Sequence, residues 1–161
     1  MSLYLSPELK AYYMADFDYL LKEERDLYWQ LDAGIQEVLV AINENPGLQS
    51  LYSKLFQADK DGFIEPISYL RLAFIPELEK KVQNVYIELI QALDGREAQV
   101  TISLEDGMEN RIFKADSPMG CKNNPEYFRI KHFYIELRSD QEEWHRQFWD
   151  LLDEKLAALM P

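Results

Sequence analysis

The spacing of hydrophobic residues changes near Asp94-Gly95. Between residues 6 and 94, apolar side chains recur every three or four positions, as in helices that bury one face. From residue 98 to 138 they alternate, as in strands, and from 140 to 160 the helical spacing returns. The pattern predicts an α+β fold: a helical part, a small three-stranded antiparallel sheet, and a C-terminal helix packed on it. A chain of 161 residues has the usual size of one domain, so we expect a single domain over 1–161.

The helical part is expected to contain three segments. The first is a long helix over residues 6–43, in which Gly34 is the weakest position because glycine costs about 1 kcal/mol in a helix interior. A short helix is predicted over 48–56. A third helical stretch over 66–93 should break or kink at Pro76, which cannot donate a main-chain hydrogen bond.

The sheet part is expected to begin with a hairpin. Apolar and polar residues alternate over 99–104, the turn residues Glu105-Asp106-Gly107 follow, and a second strand is predicted near 111–115. A third strand is predicted over 127–137. Its apolar residues occupy even-numbered positions in the first half and odd-numbered positions in the second, so they switch faces midway. We expect a bulge near Lys131-His132, because one extra residue reverses which face a side chain occupies.

The final helix has a start signal and an apolar side. Ser139 and Glu142 have the spacing of a capping box, in which each side chain binds the other residue's main-chain amide. Apolar residues from Trp144 to Leu159 then follow helical spacing. This helix is predicted to cover one face of the sheet.

The overall charge limits the classes of partner. The formal net charge is -12, which argues against general attraction to nucleic acid or to anionic membranes. No stretch has the roughly 18 apolar residues of a membrane span, and the first residues lack the pattern of a signal peptide, so we expect a cytoplasmic protein. Cys121 is the only cysteine, which excludes an intramolecular disulfide. The expected partner is another protein, with a basic one matching the charge best.

The sheet part is locally basic, with a net charge of about +3 over residues 111–138. One hypothesis is that this region holds an anionic small molecule, because guanidinium groups bind carboxylate and phosphate well and an imidazole titrates near neutral pH. A cysteine and histidine pair, Cys121 and His132, is a weaker catalytic hypothesis. The competing interpretation is a solvated strand face. The candidate ligand-binding residues are Arg111, Arg129, Lys131, His132, Tyr134 and Arg138.

Aromatic residues are frequent, with 10 Tyr, 8 Phe and 3 Trp, and the first helix carries more of them than one core contact requires. Large side chains with a polar edge are enriched at protein interfaces. Core packing explains the same residues equally well. The candidate interface residues are Tyr12, Tyr13, Phe17, Tyr19, Tyr28 and Trp29. If they form an interface, the partner could be a second copy, giving a homodimer through the long helices.

Motifs for catalysis, cofactors and metals are absent. There is no glycine-rich phosphate loop, no GxSxG, no HExxH and no CxxC. The turn Asp59-Lys60-Asp61-Gly62 lacks the flanking acidic ligands of a calcium loop. We therefore expect no cofactor, no metal and no catalytic residue. The leading hypothesis is a small acidic protein-binding module, such as a regulator, adaptor or inhibitor. The alternatives are an anionic-ligand site or enzyme around His132, and a structural helical homodimer.

Overall fold

The computed structural model describes residues 2–22, 35–55, 57–58, 64–109 and 129–161. Its helices are α1 (Pro7–Lys22), α2 (Gln36–Glu44), α3 (Glu79–Leu93) and α4 (Glu142–Leu156), and a short 3-10 helix covers Pro76–Leu78. Its strands are β1 (Ser2–Leu3), β2 (Leu48–Lys54), β3 (Gln57–Ala58), β4 (Ile64–Glu65), β5 (Ile67–Phe74), β6 (Gln99–Glu109) and β7 (Arg129–Arg138). The α+β class expected from the sequence is confirmed.

The main sheet has four antiparallel strands in the order β6-β7-β5-β2. Strand β1 adds a short parallel pairing to β7, with Ser2 opposite Arg129. Strands β3 and β4 pair only with each other. The predicted three-stranded sheet is therefore too small, because β2 and β5 lie in segments that we expected to be helical.

The spacing of leucines misled the helix prediction for β2 and β5. Leu48, Leu51 and Tyr52 look helical because β2 carries an extra residue between Ser50 and Tyr52, which changes the face of the side chains that follow. In β5, Leu70 and Phe74 are four apart, and residues four apart share a face in a strand as well as in a helix. The spacing of apolar residues alone therefore did not distinguish a helix from a strand in these two segments.

One face of the sheet, here called the helix face, carries the main core. Helices α2 and α3 contact its strands, and α4 packs against both helices in the same buried core. Helix α4 also meets β5 through the hydrogen bond between His145 and Ser68. The apolar residues of β5 and β7 that alternate toward this side are buried, for example Leu72 in β5 and Ile135 in β7. Tyr86 of α3 packs edge-on against Phe133 of β7, with ring centroids 5.7 Å apart. The prediction that the C-terminal helix covers a sheet face agrees with this arrangement.

The opposite face, here called the outer face, is covered at one end by α1. Tyr13 of α1 belongs to a second buried cluster with Leu51, Ala73 and Ile130, which come from three adjacent strands. This second cluster explains the parity change in β7. Ile130 and Phe133 are both buried, one on each face, and the strand contains no extra residue. The extra residue lies on β6, between Glu105 and Met108, so the bulge predicted near Lys131-His132 is wrong by one strand.

Several other expected boundaries also differ. The helix predicted over 6–43 is described as α1 and α2, with residues 23–34 outside the described part. Glu105-Asp106-Gly107 lies within β6 rather than in a turn, because β6 continues its pairing with β7 as far as Glu109. The strand predicted near 111–115 and the turn at 59–62 lie outside the described residues. The break at Pro76 is confirmed, since β5 ends before it and a 3-10 helix begins there.

The start of α4 differs in its hydrogen bonds from the predicted capping box. Ser139 Oγ accepts a hydrogen bond from the Gln141 amide at 3.1 Å and donates one to the Glu97 carbonyl at 2.7 Å. The residue that precedes the helix, Gln141, makes no capping bond with its side chain. Ser139 therefore ties the start of α4 to the loop before β6 instead of closing a box with Glu142.

Candidate functional site

A group of polar residues lies on the outer face, where β5, β7 and β6 run side by side. We call it the outer-face cluster: Arg71, Glu105, His132, Tyr134 and Glu136. The strand register brings it together, because Arg71 lies opposite Tyr134 and Glu105 lies opposite His132. Arg71 and Glu105 form an ion pair, and the Arg71 guanidinium carbon lies 4.5 Å from the centroid of the Tyr134 ring.

His132 lies at the centre of this cluster and is fully buried. Its Nδ1 is 2.9 Å from the Ile130 carbonyl oxygen, so a proton on Nδ1 completes a hydrogen bond there. Nε2 is then an acceptor, 3.1 Å from Arg71 Nη1, and it lies 3.3 Å from Glu105 Oε2. An imidazole with no exposed surface and both nitrogens engaged is poorly placed to meet a ligand.

The cluster holds one cation and two carboxylates, and its cation, Arg71, is paired with Glu105. Burial alone would raise the pKa of the Glu105 carboxyl, but the hydrogen bond and positive charge of the Arg71 guanidinium lower it below its usual value. Burial, together with a 2.8 Å hydrogen bond to Glu136, raises the pKa of Tyr134. The polar groups of the cluster therefore bond mainly to one another, and this network joins three strands.

The structure separates the residues predicted to bind an anion. His132, Tyr134 and Arg138 share the outer face by strand parity, and Arg138 is exposed. Lys131 points to the helix face, where it forms a 3.0 Å ion pair with Glu79 and a 3.2 Å hydrogen bond with Tyr4. The bonds to Glu79 and Tyr4 raise the pKa of Lys131. Arg111 and the side chain of Arg129 lie outside the described part. Of the described cations, Arg71 and Lys131 already have carboxylate partners.

The aromatic residues predicted at an interface also occupy different environments. Tyr13 and Phe17 are both buried. Tyr13 belongs to the second buried cluster, with Leu51, Ala73 and Ile130, and Phe17 belongs to the main core. Tyr12 is half-buried. The side chain of Tyr19, and all of Tyr28 and Trp29, lie outside the described residues. The contact of these aromatic residues with a partner protein stays a prediction.

A cleft between α2 and α4 is a second candidate site, and we call it the α2–α4 cleft. Its volume is about 270 Å³. Apolar side chains from α2, β2 and α4 line it, and charged residues of α4 complete its lining. The lining residues are Ile35, Val38, Leu55, Trp149, His145, Glu142, Arg146 and Asp150.

Two polar features are found at or near this cleft. Trp149 is 3% exposed, and its indole Nε1 has no hydrogen-bond partner among the described residues. A buried donor left unpaired costs about 1 to 3 kcal/mol, which a bound acceptor would recover. The second feature is charge: residues 140–156 carry six carboxylates and two cations. Of the two cations, Arg146 is shared with Glu142 at 3.9 Å, and Lys155 is paired with Glu88 at 2.9 Å.

His145 lines the same cleft and is buried. Its Nε2 donates to the Ser139 carbonyl at 2.8 Å, which leaves Nδ1 to accept from the Ser68 hydroxyl at 2.7 Å. Burial lowers the pKa of His145, against the opposing effects of the Ser139 carbonyl and Glu142. The neutral ring therefore fixes α4 against β5.

Neither a metal site nor a membrane span is found in the part of the chain that the structure describes. No group of three or more His, Cys, Asp or Glu residues there is arranged to hold a metal ion. None of its helices is both long and apolar enough to cross a bilayer. Comparison of the chain with protein-family models, curated proteins and solved structures finds no match.

Sequence reasoning found His132 and Tyr134 of the outer-face cluster but missed their partners, and it missed the α2–α4 cleft. Arg71 lay in a segment expected to be helical, so its place beside His132 could not be anticipated. Trp149 falls one position from the predicted apolar stripe of α4, next to Phe148. The one sequence feature that could have pointed to the cleft is the run of carboxylates on α4. From composition alone, such a run is interpreted as a solvent-exposed face.

Proposed function

We propose that this protein is a protein-binding module whose α2–α4 cleft receives a basic, partly apolar segment of another protein. The observation that carries the proposal is a cleft with an apolar lining and the two carboxylates Glu142 and Asp150. Trp149 lines the same cleft, and its buried indole N–H has no partner among the described residues. This is the acidic binding module expected from the sequence, now assigned to a particular surface.

The size of the cleft supports a protein segment over a separate small molecule. Its volume of about 270 Å³ falls below the usual range of small-molecule pockets, roughly 300 to 1,000 Å³. Such a volume suits one or two side chains of a partner. A Leu or Phe side chain would contact Ile35 and Val38, and a neighbouring Lys or Arg would reach Glu142 or Asp150. A main-chain carbonyl of the segment would supply the acceptor that Trp149 lacks.

The first experiment uses the indole N–H signals of the isotopically labelled protein. A synthetic peptide that alternates Leu with Lys is titrated, and a peptide with Glu in place of Lys serves as control. We expect the Trp149 signal, assigned by its loss in Trp149→Phe, to shift and saturate with the Lys peptide alone. Trp144 Nε1 already donates to Glu97 at 3.1 Å and should move little, which provides an internal reference.

Matched charge reversals test the rim. Asp150→Lys changes the charge of the cleft lining, whereas Glu77→Lys makes the same change at an exposed position on the 3-10 helix. We expect about tenfold weaker peptide binding for Asp150→Lys and little change for Glu77→Lys. Equal effects of the two substitutions, or no shift of Trp149 at millimolar peptide, would contradict the proposal.

The partner itself is sought by photocrosslinking in the source cells. A photoreactive amino acid replaces Val38 in the cleft or, as a control, the exposed Gln147 on α4, which does not line it. A crosslinked protein that depends on the Val38 position and disappears with Asp150→Lys would support the proposal. Crosslinks that form equally from both positions would count against it.

A further inference from the structure

The outer edge of β6 has main-chain groups that face away from the sheet. Within the described residues, β6 pairs with β7 and with no other strand. In an antiparallel strand the N–H and C=O of one residue point to the same side, and successive residues alternate. The Val100 amide points away from β7, since it donates to the Asp94 carboxylate at 3.0 Å. The main-chain groups of Ile102 and Leu104 therefore also point outward.

Within the described residues, the 99–104 stretch of this edge lacks the features that usually prevent strand pairing. Proteins protect exposed edges with charges, prolines, bulges or a covering segment. Residues 99–104 contain no charged residue and no proline. The bulge of β6 begins only after Glu105, and Asp94 occupies the amide of Val100 at the other end. A short central stretch is left open between these two limits.

Two exposed apolar side chains flank the same edge. Leu104 is 47% exposed and Ile87 of α3 is 40% exposed. Glu88 lies on the flank of α3 that faces α4, because it is ion-paired with Lys155. One residue advances a helix by 100°, so Ile87 does not share the flank of α3 that carries Glu88. The two exposed side chains, Leu104 on β6 and Ile87 on the neighbouring helix, are here called the apolar strip.

The surroundings of this strip favour a second copy of the chain over an unlike partner. Two copies that each carry a net charge of -12 repel unless their contact excludes carboxylates. The exposed neighbours of Ile87 along its helical stripe are the uncharged Gln83, Asn84 and Gln91. Residues 99–104 are an uncharged stretch between Asp94 and Glu105 in a strongly acidic protein. An antiparallel strand edge is also complementary to itself about a twofold axis.

We propose that two copies pair through β6, antiparallel, with the twofold axis at Ser103. In this register Ile102 of each copy exchanges both main-chain hydrogen bonds with Leu104 of the other, and the two side chains pack on the helix face. The pairing ends where the Asp94 contact and the bulge begin. It joins two four-stranded sheets into one, leaves the α2–α4 cleft open, and does not depend on the proposed peptide binding.

The register is tested by cysteine crosslinking in a Cys121→Ser background. Ser103 would face its own copy as a pair without main-chain bonds, about 4.5 Å between Cα atoms, which permits a disulfide. Thr101 would lie roughly 14 Å from its copy, which does not. We expect Ser103→Cys to form a disulfide-linked dimer under mild oxidation, and Thr101→Cys to remain uncrosslinked. Preferential crosslinking of Thr101→Cys would overturn the register.

Light scattering and sedimentation test the pairing itself. The wild-type protein should be a dimer at micromolar concentration, and Leu104→Lys should weaken the dimer by about 100-fold, since it places a charge in the contact. Met160→Lys is the matched control, because Met160 is 73% exposed and away from β6. Circular dichroism checks that both variants fold. A wild-type monomer at every concentration, or a dimer that survives Leu104→Lys, would overturn the proposal.

Discussion

At the scale of single residues, Lys10 is the most tightly held cation in the described part of the chain. Its Nζ donates to the Asn43 carbonyl at 2.6 Å, to the carbonyl of Leu48, and to Gln49 Oε1 at 3.0 Å. These acceptors belong to the end of α2 and the start of β2, whereas Lys10 belongs to α1. One side chain therefore ties α1 to the α2–β2 connection.

Removing this ammonium group should destabilise the fold. Lys10→Met keeps most of the apolar stem but leaves three oxygens without their donor, at an expected cost of about 2 to 3 kcal/mol in the free energy of unfolding. Urea unfolding measures this cost. Lys80→Met, at an exposed position on α3, should change it little. Equal stability of the two variants would show that the three contacts contribute nothing.

The contribution of Lys10 should also depend on pH. Burial lowers the pKa of Lys10 from 10.5 to about 8. Between these values the unfolded chain holds a proton that the folded chain has released, so stability rises with pH through this window. The stability difference between wild type and Lys10→Met should therefore grow from about pH 8 to about pH 10. A flat difference would mean that the three oxygens hold the ammonium charged.

His145 should show a pH dependence of the same sign at lower pH. Burial lowers the pKa of His145 below 6.5, so the unfolded chain binds a proton that the folded chain excludes. Its stabilising effect is present above the unfolded pKa and is lost as the pH falls below it. His145→Asn should cost about 1 to 3 kcal/mol near pH 8 and less near pH 5, as measured by urea unfolding. A larger cost near pH 5 would contradict this reasoning.

At the scale of elements, one asparagine closes the C-terminal end of α4. Asn45 Nδ2 donates to the carbonyls of Leu156, Ala157 and Leu159, at 3.3, 3.3 and 2.8 Å. Its Oδ1 accepts from the Gly47 amide at 3.0 Å. The last carbonyls of a helix have no partner within the helix, so a donor from the α2–β2 connection satisfies them.

Asn45→Asp should weaken this end of α4 selectively. The carboxylate can still accept from Gly47, but it cannot donate, and it adds negative charge at the negative end of the helix. We expect a loss of about 2 to 3 kcal/mol and faster hydrogen exchange over residues 156–159. Glu44→Gln, next in sequence and exposed, serves as the control. Unchanged exchange at this end would rule out the capping role.

The comparison of sequence with structure is most instructive for individual elements. Helices α3 and α4 could be predicted because their apolar residues follow helical spacing over several turns. That spacing does not fit the alternation of a strand. Strands β2 and β5 could not, because a bulge and a four-residue spacing imitate a helix. The partners of His132 depend on the long-range pairing of β7 with both β5 and β6, which local patterns do not contain. Arg71 and Glu105 were missed as site residues for this reason.

At the scale of the whole molecule, the net charge of -12 separates the two proposed contacts by their response to salt. Peptide binding at the α2–α4 cleft pairs carboxylates with Lys or Arg, and added salt screens that attraction. Pairing through β6 brings together two acidic copies through an uncharged strip, and added salt screens their repulsion. The screening length falls from about 10 Å at 0.1 M to about 3 Å at 1 M, so both effects should be measurable.

We therefore expect opposite trends in one salt titration. Raising sodium chloride from about 0.05 M to about 0.5 M should weaken Lys-peptide binding and strengthen self-association. Peptide titration and sedimentation of the same sample measure the two equilibria, and Asp150→Lys should reduce the salt response of peptide binding alone. Self-association that weakens with salt would indicate that carboxylates and cations meet across the contact, which the uncharged β6 edge does not provide. In that case the second copy would bind elsewhere on the acidic surface.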